Sequence, residues 1–270
     1  MNLASTWPAD GPDRAELAAF AETLADAART VVRREFRAAF EVQYKADGSP
    51  VTRADREVEE TLTALIRERF PRHAILGEEF GCTGEIDARW RWALDPIDGT
   101  KNFVTGRPLF GTLIAFLERD RPILGVIEAP ALGERYVGAS GEPTRFNGRQ
   151  CRTSRCARLA DARVSATTPD LFDSDEVVAF DDVSFAARMR TFGGDCYQYT
   201  QLAAGHLDLV VEAQLAPYDL LALAPVVAGA GGVITDWEGK PLSARSDGHI
   251  LAAATPKLHE EVLGRLRDAI

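Results

Sequence analysis

Cysteine is scarce in this 270-residue sequence: Cys82, Cys151, Cys156 and Cys196 fall at no close spacing suited to zinc, and four are too few to staple a chain of this length. They read as reduced, structural thiols. The four histidines (His73, His206, His249, His259) are scattered without partner spacing, which argues against a zinc centre or a histidine base. Long apolar runs are missing too. The longest uncharged stretch, Leu220 to Thr235, is too short to cross a bilayer and is broken by Pro225 and glycines. Residues 1–13 lack the basic stretch and apolar run of a signal peptide, so a cytoplasmic location is expected. Positive charge is also in deficit, with 31 Lys and Arg against 41 Asp and Glu and a formal net charge of −10. Such a chain lacks the field that draws phosphate backbones or anionic membranes, so neither nucleic acid nor membrane is an expected partner. There is no internal repeat, no low-complexity segment and no GxGxxG after a first strand.

What remains is ordinary globular material, 46% hydrophobic and 27% charged, enough for a core without staples. From Asp13 the pattern is helical. Glu16 three residues later resembles a capping box, and Leu17, Phe20, Leu24, Val31 and Phe36 lie near helical spacing. A turn is expected at Asp47-Gly48-Ser49-Pro50. A second helix follows from Thr52, with Val58, Leu62, Leu65 and Ile66 on one face and Asp55 in its first turn. Short apolar runs then read as strands: Ala74–Leu76, Trp90–Leu94, Leu113–Leu117 and Ile123–Ile127. Later strands are expected at Val164–Ala166, Met189–Phe192, Leu207–Val211, Val233–Thr235 and Ile250–Ala253, separated by helices at Tyr197–Ala204, Asp219–Ala230 and Pro256–Arg267. That alternation indicates an α/β layer. The polar stretch Gly141–Arg158 suggests a boundary between an α+β half, residues 1–145, and an α/β half, residues 146–270.

The most informative segment is Leu94-Asp95-Pro96-Ile97-Asp98-Gly99-Thr100. A buried-looking strand ends in two aspartates, and Pro96 biases Asp95 towards an extended backbone, so both carboxylates can emerge at one strand end. From these residues alone an Asp-rich turn leading into a helix cap fits equally well. Further acids occur at Gly77-Glu78-Glu79, at Asp55, and at Asp219 just before an apolar helix. Each alone suits a helix N-terminus. Together they supply only hard oxygen ligands, which favours magnesium or manganese over zinc if the fold gathers them.

Gly77-Glu78-Glu79, Asp95-Pro96-Ile97-Asp98-Gly99-Thr100 and Tyr218-Asp219 with the tail Gly229-Ala230-Gly231-Gly232 together resemble the inositol monophosphatase family, magnesium-dependent and lithium-sensitive phosphomonoesterases. The match runs from Lys45-Ala46-Asp47 to Gly232. It implies a layered α-β-α-β-α sandwich of the inositol monophosphatase/fructose-bisphosphatase type, as a homodimer. The resemblance assigns one metal to Glu78, Asp95 and the Ile97 carbonyl, and a second to Asp95, Asp98 and Asp219, with a third, weaker ion near Glu78. It casts Thr100 and Asp55 as the pair that orients and helps deprotonate water. The Gly99 and Thr100 amides would hold phosphate at a helix start. On this reading residues 1–145 carry most metal ligands and residues 146–270 complete the substrate pocket.

The substrate is expected to be a small phosphate monoester. By the same resemblance Glu212 meets its organic part; Asp195, a carboxylate on a glycine-rich loop before a helix, is a second candidate contact, with a helix N-cap as its plainer reading. Tyr218 replaces the family's usual Trp, and Gly229 stands where Glu commonly precedes Ala-Gly-Gly. The stretches Gly193-Gly194-Asp195-Cys196-Tyr197, Pro217–Leu223 and Ile127–Gly133 look like the histidinol-phosphate phosphatase branch. Histidinol phosphate carries an ammonium and an imidazole that carboxylates can meet with charge-assisted hydrogen bonds. The expected reaction is therefore hydrolysis of L-histidinol phosphate in histidine biosynthesis. An inositol or broad sugar-phosphate phosphatase, an adenosine 3′,5′-bisphosphate phosphatase and a noncatalytic scaffold are the alternatives. Lys45, Lys101, Arg152, Arg155 and Arg158 stay outside the catalytic set.

Overall fold

The computed structural model of the chain describes residues 6–39, 41–45, 48, 50–85 and 87–269. Helix α1 (Arg14–Glu35) begins where Asp13 accepts from the Glu16 amide at 2.8 Å. Its buried residues Leu17, Ala21, Leu24, Ala28 and Val31 recur every three or four positions, the stripe of a helix laid on a core. A ribbon of β1 (Gln43–Tyr44) and β2 (Pro50–Val51) follows. The Gly48 amide turns back onto the Lys45 carbonyl, while Asp47 and Ser49 of the expected turn lie outside the described residues. Helix α2 (Arg53–Arg69) starts at Thr52 in a capping box whose acid is Asp55.

Eight strands form the first sheet: β3 (Ala74–Gly77), β4 (Gly81–Thr83), β5 (Trp90–Asp98), β6 (Gly111–Glu118), β7 (Arg121–Ala129), β8 (Glu134–Ala139), β9 (Arg145–Phe146) and β10 (Arg149–Gln150). Their order is β10-β9-β8-β7-β6-β5-β3-β4, antiparallel except for the parallel pair β3 and β5. The short helix α3 (Thr100–Val104) follows β5. The second sheet contains β11 (Arg163–Ala166), β12 (Met189–Phe192), β13 (Leu209–Glu212), β14 (Val233–Thr235) and β15 (Ile250–Ala253), in the order β12-β11-β13-β15-β14. The remaining helices are α4 (Ser174–Ala186), α5 (Cys196–Ala203), α6 (Pro217–Leu220), α7 (Leu223–Gly229) and α8 (Pro256–Ala269).

Alternating side chains sort these elements into layers. Trp92, Leu94, Ile114 and Phe116 pack under α1 and α2. Their neighbours Ala93, Leu113 and Ala115 face a middle layer of α5, α6 and α7, which also covers Val210, Ile250 and Ala252 of the second sheet. Leu209, Val211, Leu251 and Ala253 face outward onto α4 and α8. The stack is α-β-α-β-α, the expected layered α/β sandwich. The central strands β6, β7, β13 and β15 are covered on both faces, which is why they read as near-continuous apolar runs, whereas the edge strand β12 is exposed. The middle layer sits close: a Cβ on Gly125 would stand 2.1 Å from the Ala222 carbonyl oxygen, so β7 needs glycine there.

Three expectations change. The helix expected over Asp219–Ala230 is two helices, α6 and α7, because Pro225 has no N–H to donate to the Leu221 carbonyl. β13 starts at Leu209 rather than Leu207, since Asp208 is held by the Arg163 side chain and amide. Strands β8 to β10 and helix α4 had no counterpart in the sequence reading. The exposed Arg152, Arg155 and Arg158 fit a solvated face, and no helix among the described residues is long and apolar enough to cross a membrane.

Candidate active site

Three elements end at one place. Strand alternation would put Asp95 and Asp98 on opposite faces of β5, but between them the pairing with β6 slips by one residue, from Asp95–Leu113 to Asp98–Gly111. This β-bulge contains Pro96, which has no amide to lose from the ladder, and it returns both carboxylates to one side. The parallel register of β3 on β5 sets the Glu78 amide on the Leu94 carbonyl at 3.2 Å, beside Asp95. Asp219 sits in the first turn of α6, where one carboxylate oxygen accepts from the Ala216 amide at 2.8 Å. Carboxylate oxygens of Asp95, Asp98 and Asp219 come within 4.8 Å of one another. Glu78 abuts Asp95, and Lys45 bridges Glu78 and Glu79 at 2.8 and 2.6 Å.

The other expected site residues are each held by local contacts. Gly99 turns the chain at φ +84°, and the Thr100 hydroxyl donates to the Ile97 carbonyl at 2.9 Å. Asp55 is fully buried. Its Oδ2 accepts from the Thr52 amide and hydroxyl at 2.8 and 2.6 Å, and its Oδ1 has no hydrogen-bond partner among the described residues. No hydrogen bond joins Asp55 to Thr100 among the described residues; each is anchored separately. Asp195 occupies the N-cap position of α5 but does not cap it. Asp98 does so instead, accepting from the Cys196 amide. Asp195 is held in the strained region at φ +42°, and its carboxylate accepts from Asn102 Nδ2 at 2.5 Å. Glu212, at the end of β13, is buried and accepts from Tyr199 Oη at 2.6 Å and the Thr167 amide at 2.9 Å.

Sequence reasoning missed Asn102, Thr167 and Tyr199, whose roles depend on contacts between distant segments. It also missed Glu59, although an acid four residues after Asp55 on the apolar face of α2 was a visible signal.

The electrostatics run in one direction. Burial, then Glu78, Asp98 and Asp219, raises the Asp95 carboxyl well above its ordinary range. Asp98 and Asp219 are each pushed up to about 7, chiefly by burial. Asp195 rises to about 8 through burial, Asp98 and Glu212, and Asp55 to about 6 through burial. Burial raises Glu212 as well. Crowded carboxyls out of water keep protons unless cations replace them. Asp95 Oδ1, buried without a hydrogen-bond partner among the described residues, is an open ligand atom in this all-oxygen set. The donors fit a hard divalent cation.

Residues 13–270 match the profile of the inositol monophosphatase family. The chain belongs to the inositol monophosphatase family. It is 42% identical over 276 residues to the bifunctional phosphatase IMPL2, chloroplastic, of Arabidopsis thaliana, covering 98% of this chain and 80% of that one. It is 34% identical to a histidinol-phosphatase of Streptomyces coelicolor, over 95% of this chain and 99% of the relative. An inositol monophosphatase structure from Zymomonas mobilis superposes with a TM-score of 0.87 at 42% identity, over 95% of this chain and all of that one. As a member of the inositol monophosphatase family the chain is a phosphatase of a metal-dependent family, and Asp95, Asp98 and Asp219 form an acidic cluster that could hold a metal ion.

Proposed function

We propose that this chain hydrolyses L-histidinol phosphate to L-histidinol and phosphate, a step of histidine biosynthesis, using magnesium or manganese. Two or three ions would be held by Glu78, Asp95, the Ile97 carbonyl, Asp98 and Asp219. The observation that carries this reading is the gathering of Asp95, Asp98 and Asp219 within 4.8 Å beside Glu78. When bound, the ions supply positive charge for the phosphoryl oxygens and acidify water, the largest demands of a reaction that is very slow uncatalysed. Asp55, whose Oδ1 lacks a hydrogen-bond partner among the described residues, takes a proton from the attacking water, and Thr100 helps to orient it. The Gly99 and Thr100 amides receive the phosphate.

The organic end of the substrate falls to Asp195 and Glu212. Both Glu212 oxygens already accept from Thr167 and Tyr199, so Asp195 is the freer acid to meet an ammonium or imidazolium. A cationic group there would offset the burial and the repulsion from Asp98 and Glu212 that raise the Asp195 carboxyl. The histidinol-phosphatase relative supports this choice. The Zymomonas inositol monophosphatase favours a second reading, an inositol or sugar-phosphate phosphatase. We further propose a cytoplasmic homodimer whose residues 1–145 hold most metal ligands and residues 146–270 complete the pocket.

Phosphate release with magnesium from L-histidinol phosphate, inositol 1-phosphate and adenosine 3′,5′-bisphosphate at equal concentrations tests the reading. A large preference for histidinol phosphate in kcat/KM is expected. Preference for inositol 1-phosphate would replace the first reading with the second.

A further inference from the structure

Glu59 is a buried acid that plays no part in the chemistry above. It lies one helical turn after Asp55 on the same face of α2. Its carboxylate faces the loop between β3 and β4, accepting from the Glu79 amide at 2.8 Å through Oε2 and from the Phe80 amide at 3.0 Å through Oε1. The loop passes so near that a Cβ on Gly77 would stand 1.7 Å from Glu59 Oε1. Glycine is therefore required just before Glu78, and the reason is the carboxylate behind it. Both oxygens accept, so the arrangement suits a carboxylate and opposes an amide, whose NH2 would confront a backbone N–H.

We infer that Glu59 is a positioning residue for the metal centre: it fixes the three-residue loop that presents Glu78 towards Asp95. The inference rests on the reading of Glu78 as a metal ligand. Through Asp55 and Glu59, one face of α2 then sets both the acid on the water side and the acid on the metal side, and a rotation of that helix would disturb them together.

The test uses the full chain in its Glu59→Gln, Glu59→Asp and Gly77→Ala forms, with folding checked by circular dichroism. Manganese binding is followed by the electron paramagnetic resonance signal of free Mn2+, and magnesium activation by phosphate release. Each folded variant is expected to bind Mn2+ about tenfold more weakly, the usual cost of removing support behind a ligand. Half-activating magnesium should rise in step, while kcat at saturating magnesium stays within about twofold. A role confined to packing would lower the melting temperature and leave manganese affinity unchanged. Gly77→Ala and Glu59→Asp keep the charge, so weakening by Glu59→Gln alone would indicate a field effect and overturn positioning. Wild-type affinity in all folded variants would also overturn it. If the wild-type chain bound no Mn2+, the metal reading itself would fail, a result distinct from either.

Discussion

At Asp98 a single oxygen atom distinguishes catalysis from stability. The carboxylate accepts from the Cys196 amide, which an asparagine Oδ1 can also satisfy, yet its charge faces Asp95 and Asp219 without a balancing cation among the described residues. Asp98→Asn should abolish magnesium-dependent phosphate release and, above pH 7, raise the melting temperature of the metal-free protein. Activity and a thermal scan in chelator check both halves, and a large loss of stability would contradict the account. Asp195→Asn is a narrower change. It should raise KM for histidinol phosphate by about tenfold, the value of one charge-assisted contact, and leave an uncharged ester little affected. Equal losses on both esters would remove the charge-recognition role. These acids were legible because their types and order form a motif. Glu59 showed only as an acid on an apolar helix face and Asn102 not at all, since what they hold is backbone of other segments.

Secondary elements were legible in proportion to their pattern. Strands covered on both faces announce themselves as apolar runs, and the edge hairpin of β9 and β10, short and exposed, does not. Helix α4 escaped because Val178 and Phe185 face solvent while Ala179, Phe180 and Val183 are buried, which leaves no stripe. The bulge in β5 was hidden because Pro96 marks it but pairing with β6 makes it. Attachment between elements is equally nonlocal. Glu128 of β7 is fully buried and binds Arg29 of α1 at 2.5 Å and Arg135 of β8 at 2.6 Å, fastening the outer helix to the sheet. Glu128→Ala would take from Arg29 the carboxylate that binds it, while Arg135 keeps Asp26 and Glu22. A loss of about 2–3 kcal/mol is expected, below the full cost of an unpaired buried charge because Arg135 stays paired and Arg29 reaches water, measurable by urea unfolding. A change below 1 kcal/mol would show that water replaces the carboxylate at little cost.

Across the molecule the acid cluster ties stability to pH and metal. Burial and mutual repulsion push Asp98 and Asp219 up to about 7 and Asp195 up to about 8, from an ordinary 3.8, so above pH 4 the folded chain holds, across this set of acids, protons that the unfolded chain has released. Stability contributed by those protons falls as pH rises through these values. Below about 6.5 half-buried His73 and buried His259, both lowered to about 4, act oppositely, because there the unfolded chain binds the extra protons. The acids therefore dominate from pH 6.5 to 8.5. His249, raised by Glu176 and Asp247 against the effect of burial, adds to the same fall. In chelator the melting temperature should drop across this window by roughly 10 °C, corresponding to a loss of about 3 kcal/mol in a chain of this size. Magnesium binds the deprotonated acids, so its stabilisation should grow with pH and flatten the curve. Thermal scans at pH 6.5 and 8.5, with chelator and with magnesium, measure the difference directly. Parallel curves in the two conditions would mean that the titrating groups lie elsewhere and that the gathered carboxylates are not where the divalent ion binds.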